Sequence, residues 1–443
     1  MEVKTFTPVV HNLSLVIQSM FRKFGICFLL LGISACSQQL SDTSSSPYPN
    51  SKTKPQAQSE SNKENTNTPA QIAQSQNSQL TQNKSIINEV KPPELLSPVS
   101  VEGKWITEKD GSTLLDPQTS GLIADENVWW SVSDASAHDS QTHRLHMIDK
   151  NSVKVVERLG PMMLSDRVAN SCFSSYLSKE PDYEAMVFHP YLKDAWILVT
   201  EDASRGKHKQ LSGDCKKRFE NTGSTKYPTL LVEIMLRNEQ LIVSGVRALQ
   251  FSPDDKVGNL PNDGFEGLAF GRDNRLFLSL ETDSLGQARI FYIDLDRNYF
   301  DQQDSFSLAT DAELHLPSFT EGKHPINGMS IHFPDEQSKG FLIAAARNDN
   351  QIWIIDISKE QATKILPMNF YAPPIDDKCT SAYKMHNSSI EGVAVDGDRL
   401  VLVNDPWRSQ YRKNIVCEYD SEPYQRYSSL IFTTPLLSEW FRP

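Results

Sequence analysis

The sequence contains no G-x-S-x-G elbow and no G-x-x-x-x-G-K-[ST] loop, so neither a serine-hydrolase nucleophile turn nor a phosphate-cradling P-loop is written in it. No C-x-x-C or H-E-x-x-H spacing occurs, which speaks against zinc. Positive charge is scarce: 44 Lys and Arg stand against 56 Asp and Glu, a net charge of −12. Nucleic acid is therefore excluded as a partner, because phosphate binding needs concentrated Lys and Arg. A cation, or a substrate presented with a cation, suits such a chain better. Long apolar runs are also missing, and the stretch 24–33 is too short to span a bilayer.

What is there begins with a targeting pattern. Arg22 and Lys23 form a basic start, 24–33 is mostly apolar, and Ile33-Ser34-Ala35-Cys36 places small residues before a cysteine. That ending resembles the lipobox of bacterial lipoproteins, which implies a lipid on Cys36 and a chain held at the cell envelope outside the cytoplasm. By the same analogy Ser37 favours the outer membrane. The alternatives are an ordinary cleaved signal peptide or a short anchor helix, and Met20 is a second candidate start. Residues 1–36 are thus read as the signal. Residues 37–98 are Ser, Gln, Asn, Thr, Lys and Pro with few apolar side chains, and cannot offset the entropy of ordering. They are expected to be a disordered tether, with the globular domain over 99–443.

Within that domain one phrase recurs. A polar residue precedes a short Gly-apolar-small-apolar strand, a second strand ends in polar residues, and a third follows. The clearest copy is Gly264-Phe265-Glu266-Gly267-Leu268-Ala269, then 275–281, then 289–294. The residue after the polar position falls at 121, 185, 267, 328 and 392, giving spacings of 64, 82, 61 and 64. Short antiparallel strands repeating at this period predict an all-β fold, a β-propeller with five recognisable blades. A sixth, degenerate blade built from the chain ends stays open, and 102–107 and 430–434 read as the strands that close the ring. The third strand of the fifth copy is expected at 414–420. The long second interval carries a loop, which includes the basic run Lys216-Lys217-Arg218. A β-sandwich is the rival fold, but it does not require the repeated phrase in register.

Beyond Cys36 the cysteines are Cys172, Cys215, Cys379 and Cys417, and four allow three pairings. Pairing by neighbourhood joins Cys172 to Cys215 and Cys379 to Cys417, bracing the second and fifth blades in an export-permissive chain.

In a propeller the first strand of each blade lines the central channel. The polar positions Ser120, Glu184, Glu266, Asn327 and Glu391 are then expected to form a ring. Carboxylates gathered on one axis repel unless a cation sits among them, and oxygen ligands of this kind select calcium over magnesium. Glu184, Glu266, Asn327 and Glu391 are the candidate ligands; the bland alternative is a solvated channel lining. Asp134, Asp182, Glu201, Asp202, Glu281, Asp283 and Asp405 belong to an outer acidic collar, in which Arg347 is the single cation among the second-strand ends. Asn348 and Asn404 stand beside it. His324 and His386 are nearest the ring among the histidines and are candidate general bases.

Several of these phrases resemble the phytase-like domain family, also called "esterase-like activity of phytase". They are Ser120-Gly121-Leu122 with Val132-Ser133-Asp134, Asp182-x-Glu184 with Glu201, the Gly264–Ala269 phrase with Glu281, and 326–331 with Arg347. The chain departs from it at Ala185, where the family has Gly. The resemblance implies a secreted or periplasmic propeller with phosphatase or esterase activity. A looser one, to the calcium lactonases, implies a central metal held by Glu and Asn, which Glu184, Glu266 and Asn327 match. Two functions are left open: a metal-assisted hydrolase of phosphate or carboxyl esters (lactones included), and a non-catalytic calcium-stabilised propeller that binds a protein or glycan.

Overall fold

The computed structural model describes residues 91–179, 181–201, 211, 213–219, 228–257 and 264–443. Cys36, the signal, the tether up to residue 90 and Asp202 lie outside the described residues.

The second strand of each repeat is a near-continuous apolar run, as in Phe341–Ala346, and all six of its residues are buried. A strand buried on both faces must have a neighbour on each side and a packed layer above and below. The chain meets this demand with five four-stranded antiparallel blades. Blade 1 is Thr119–Ala124, Val128–Ser133, Leu145–Asp149 and Val155–Leu159. Blade 2 is Tyr183–Phe188, Ala195–Thr200, Leu230–Arg237 and Gln240–Phe251, and blade 3 is Phe265–Phe270, Arg275–Leu280, Arg289–Asp294 and Ser307–Asp311. Blade 4 is Ile326–His332, Phe341–Ala346, Gln351–Asp356 and Lys364–Ala372. Turn chemistry supports the hairpins: Asn238 and Glu239, both at positive φ, make the two-residue connection within blade 2.

Blade 5 is Ile390–Asp396, Arg399–Asn404 and Leu430–Pro435, completed by Val99–Trp105 from the other end of the domain. Gly103 pairs with Phe432 and Trp105 with Leu430. The two segments expected to close the ring therefore do so, but inside the fifth blade. The described residues hold five blades and no sixth. The expected strand at 414–420 is corrected: these residues form short 3-10 turns in an insertion before Leu430. Its residues look like a strand, yet Cys417 is tied to Cys379 and the Asn414 side chain bonds His386 and Asn387. Those links hold the segment away from any sheet edge. Ordered chain also begins ahead of Val99, since Glu94–Leu95 pairs in parallel with Lys364 and Ile365 of blade 4.

The five first strands neighbour one another around a closed circuit, blade 5 meeting blade 1. Apolar clusters fill the gaps between blades. Trp130, Met186 and Trp196 pack blade 1 on blade 2, Val187 and Leu268 join 2 to 3, and Phe277, Met329 and Trp353 join 3 to 4. Ile343, Val393 and Phe432 join 4 to 5, and Leu122, Trp129 and Val401 close 5 on 1. At four of the five gaps the glycine of the repeated phrase lies tight against the next inner strand, and blade 2 has Ala185 there. A Cβ at Gly328 would lie 2.3 Å from the Glu391 carbonyl oxygen, so a side chain is barred at that contact.

Both disulfides form as paired by neighbourhood, Cys172–Cys215 and Cys379–Cys417. Each ties the segment entering a blade to the insertion between that blade's second and third strands. Those two connections lie at the end of the blade where the polar phrase sits.

Candidate metal centre on the propeller axis

Every inner strand carries a β-bulge at the phrase. In blade 3, Phe265 pairs with Leu280 and Gly267 with Ser279, leaving Glu266 as the extra residue. Glu184, Asn327 and Glu391 occupy the same place in their blades. A bulge turns one side chain off the strict in–out alternation of a strand, and here it sends the same position of four blades toward the axis. Blade 1 differs. Its extra residue is Gly121, at φ +65°, while Ser120 stays paired with Val132. Blade 1 thus contributes no side chain from its bulge, and the buried Ser120 hydroxyl faces Glu391 instead.

The ring positions converge. Carboxylate oxygens of Glu184, Glu266 and Glu391 lie within 4.8 Å of one another. The second-strand ends join them: Asp182, Glu184 and Glu201 form one further triad at that spacing, and Glu201, Glu266 and Glu281 another. Glu184 and Glu266 are each only 6% exposed, and among the described residues none donates a hydrogen bond to either carboxylate. Asn327, fully buried, donates through Nδ2 to Glu281 Oε1 while its Oδ1 has no partner among the described residues.

Burial first, then repulsion from Glu266, Asp182 and Glu201, pushes Glu184 well above the usual carboxylate range. Glu266 is pushed the same way by burial, Glu281, Glu201 and Glu391, against a smaller pull from Arg347. Burial and Glu391 raise Asp405, and burial with Asp182 raises Asp134 to about 8. Such shifts mark a site short of positive charge.

The built-in counter-charge lies on one side. Arg347 reaches inward from blade 4, with Nη1 on Glu391 Oε1 and Nη2 3.2 Å from Glu281 Oε1. Burial works against its charge, but Glu391 and Glu281 hold the proton on, above the ordinary arginine range. Arg347 therefore belongs to the inner ring more than to the collar. A second cation, missed because it stands outside the repeat, is Arg408 in the blade 5 insertion. It pairs with Asp116 at 2.6 Å and faces Asp134 and Asp405. Tyr176 was also missed: its hydroxyl accepts from the Asp182 backbone at 2.9 Å, from a helical turn between blades that carries no repeat signal.

Other second-strand ends serve structure. Asp283 accepts from the Leu285 and Gln287 amides, Asn404 Oδ1 takes the Leu430 amide, and Asn348 caps the Lys323 carbonyl. Neither candidate base stands free at the ring. His324 stacks on Phe319 and spends Nδ1 on Asp349 and Nε2 on the Glu321 carbonyl, and His386 is an exposed residue.

The cluster has the donor set of a hard-cation site, all oxygen, irregular and anionic. Comparison with protein-family models gives no match for this chain, and comparison with curated proteins gives none. Among solved structures, the luciferin-regenerating enzyme is 12% identical at a TM-score of 0.34, over 72% of this chain and 78% of that one. A glucose dehydrogenase is 12% identical at 0.33, over 72% and 98%. An arabinanase of Penicillium chrysogenum is 8% identical at 0.30, over 73% and 76%. Values this low carry no inference about activity, and the propeller rests on the strand order itself.

Proposed function

We propose that this chain is an envelope-tethered lipoprotein whose phytase-like propeller hydrolyses phosphate or carboxyl esters with the help of one calcium-type cation. The observation that carries this reading is the pair of buried carboxylates, Glu184 and Glu266, beside the Asn327 Oδ1, none of which has a hydrogen-bond donor among the described residues. Glu184, Glu266, Asn327 and Glu391 would hold the ion. Bound there, the cation supplies a Lewis acid for a scissile ester oxygen. The collar carboxylates, with Asp134 and Asp405 both raised above the usual carboxylate range by burial and neighbouring carboxylates, would take up or release a proton at the mouth.

A second reading is favoured by the exposed side chains of Lys216 and Lys217 and by Val416 and Tyr419, each 61% exposed on the blade 5 insertion. Under it the propeller is a calcium-stabilised binding module for a protein or glycan.

One set of measurements separates these. The full-length chain is melted in chelator and in millimolar-range calcium, then assayed on a panel of small phosphate and carboxyl esters. A rise in Tm with calcium and ester turnover lost in chelator are expected. Equal Tm values would make the ring a solvated lining and remove the hydrolase's electrophile. A calcium-dependent Tm with no turnover would leave the binding module. Fractionation of cells carrying Cys36→Ala tests the tether: equal membrane association of variant and wild type would place the anchor elsewhere.

A further inference from the structure

The acidic mouth poses a problem for an ester whose acid group is charged. Asp134, Asp182, Glu184, Glu201, Glu266, Glu281, Glu391 and Asp405 all face it, and a free oxyanion entering among them is repelled. Among the described residues, Arg347 is the cation that reaches inside the ring, and it is held by two of those carboxylates. Its side chain is 26% exposed, and its buried Nε has no partner among the described residues. Arg408 does not compete for this role, since it is clamped on Asp116 and the Ser136 carbonyl at the rim.

Glu391 is shared between two demands. It is one of the three carboxylates that converge on the axis, and it is also the partner of Arg347 Nη1. A cation bound among Glu184, Glu266 and Glu391 would draw on the Glu391 carboxylate and cancel the repulsion that excludes anions. The Arg347 edge then turns from an internal ion pair into a fork for an oxyanion, a geometry that guanidinium matches with two parallel hydrogen bonds. We infer that Arg347 is the substrate-anion residue, that it becomes available only when the cation is bound, and that the substrate therefore carries a phosphate or carboxylate next to the scissile bond.

This rests on the cation reading above and adds an order to it: cation first, oxyanion second. Coupling of this kind is reciprocal, so the anion must also tighten the cation. Arg347 acts by positioning.

The test uses the full-length chain and titration calorimetry with methylphosphonate, a dianion that cannot be hydrolysed, and with acetate as the carboxylate arm. The calcium-loaded wild type should bind at least one of them, and affinity should fall tenfold or more in chelator. The arm that binds more tightly identifies the acid group. Arg347→Met should keep its calcium-dependent rise in Tm, or enlarge it, because Glu391 is released to the ion, while losing tenfold or more of its affinity for whichever oxyanion the wild type binds more tightly. Equal oxyanion binding with and without calcium overturns the ordering. Equal binding by Arg347→Met, or no oxyanion binding by a wild type whose Tm does rise with calcium, overturns the role of Arg347 and leaves the cation reading intact. A Tm indifferent to calcium ends both, and is read before any anion is added. Should Arg347→Met not fold, Arg347→Lys decides: it keeps the charge without the fork, so affinity should drop severalfold with the calcium dependence retained. Affinity equal to wild type would overturn the inference.

Discussion

Two polar assemblies in this molecule are built on opposite terms. In blade 1, Ser133 Oγ is 2.8 Å from His146 Nε2, Arg158 Nε donates to His146 Nδ1 at 3.2 Å, and Arg158 Nη2 grips both oxygens of Glu108 at 2.9 and 2.7 Å. Because Nδ1 accepts, the ring proton sits on Nε2 and donates to the serine. Ser133 and His146 form a serine–histidine pair in the wrong sense for a nucleophile, since the histidine cannot take the serine proton. Every link has its partner, and one cation meets one carboxylate. On the axis, a few residues on from Ser133, carboxylates outnumber the cation that reaches them among the described residues, and there two of them, Glu184 and Glu266, have no donor. Balance in one assembly and its lack in the other distinguish a strut from a candidate site. Buried polar groups are ordinarily satisfied, and a lasting deficit of charge points to something from outside that completes it.

That contrast can be broken first in the string. Arg158→Ala leaves the Glu108 carboxylate and His146 Nδ1 without their shared donor, and should cost about 2 kcal/mol of unfolding free energy, part of the pair being solvated. Urea denaturation checks this, and a loss below a few tenths would show the string to be ornamental. On the axis the sign should reverse. Glu184→Gln removes one uncompensated charge, so in chelator it should raise stability by about 1 kcal/mol, and it should weaken the response to calcium. A Glu184→Gln variant less stable than wild type in chelator would mean that its carboxylate has a partner after all.

The smallest effect is in the pH profile. Carboxyl groups raised on folding keep protons that the unfolded chain has released, so their contribution is present below about pH 4 and is lost as pH rises toward the folded value, about 8 for Asp134. His146 runs the other way. Burial, Arg158 and Arg144 hold it down at about 3, so its contribution is complete above about 6.5 and is lost as pH falls through that window. In chelator, Tm should therefore decline from about pH 6.5 to pH 8, and calcium should flatten that decline. A chelator profile that rises over this window would sink the charge-deficit account.

How far each part was legible in the sequence follows from its period. The inner strands and the carboxylates at Glu184, Glu266 and Glu391 repeat in register, so their convergence could be read from spacing alone. The disulfides followed from neighbourhood. Residues outside the repeat left no such trace. Arg408 and Tyr176 sit in connections of irregular length, and their roles exist only after the blades close. The segment 414–420 misled because Ile415, Val416 and Tyr419 have strand chemistry, whereas a disulfide and the side-chain bonds of Asn414 decide its course. Arg347 was placed on the collar, since position along a strand does not tell which way a long side chain reaches. Blade 1 held the subtlest difference: its phrase reads like the others, yet the bulge falls one residue later, on Gly121.

The fifth blade also has a bearing on when the molecule matures. Its outer strand, Val99–Trp105, is paired with Leu430–Pro435, more than three hundred residues further along the chain. Contacts so distant are slow to form, because the loop between them must close before they repay its entropy. The early strand can pair in parallel with Met368 to Tyr371 of blade 4 beforehand, but during synthesis its other edge stays open to wrong pairing until the last strand emerges. Glu391, from the same late blade, reaches the axis only at that stage. The acidic cluster on the axis is thus completed last, and a nascent chain that lacks blade 5 has the earlier blades without Glu391.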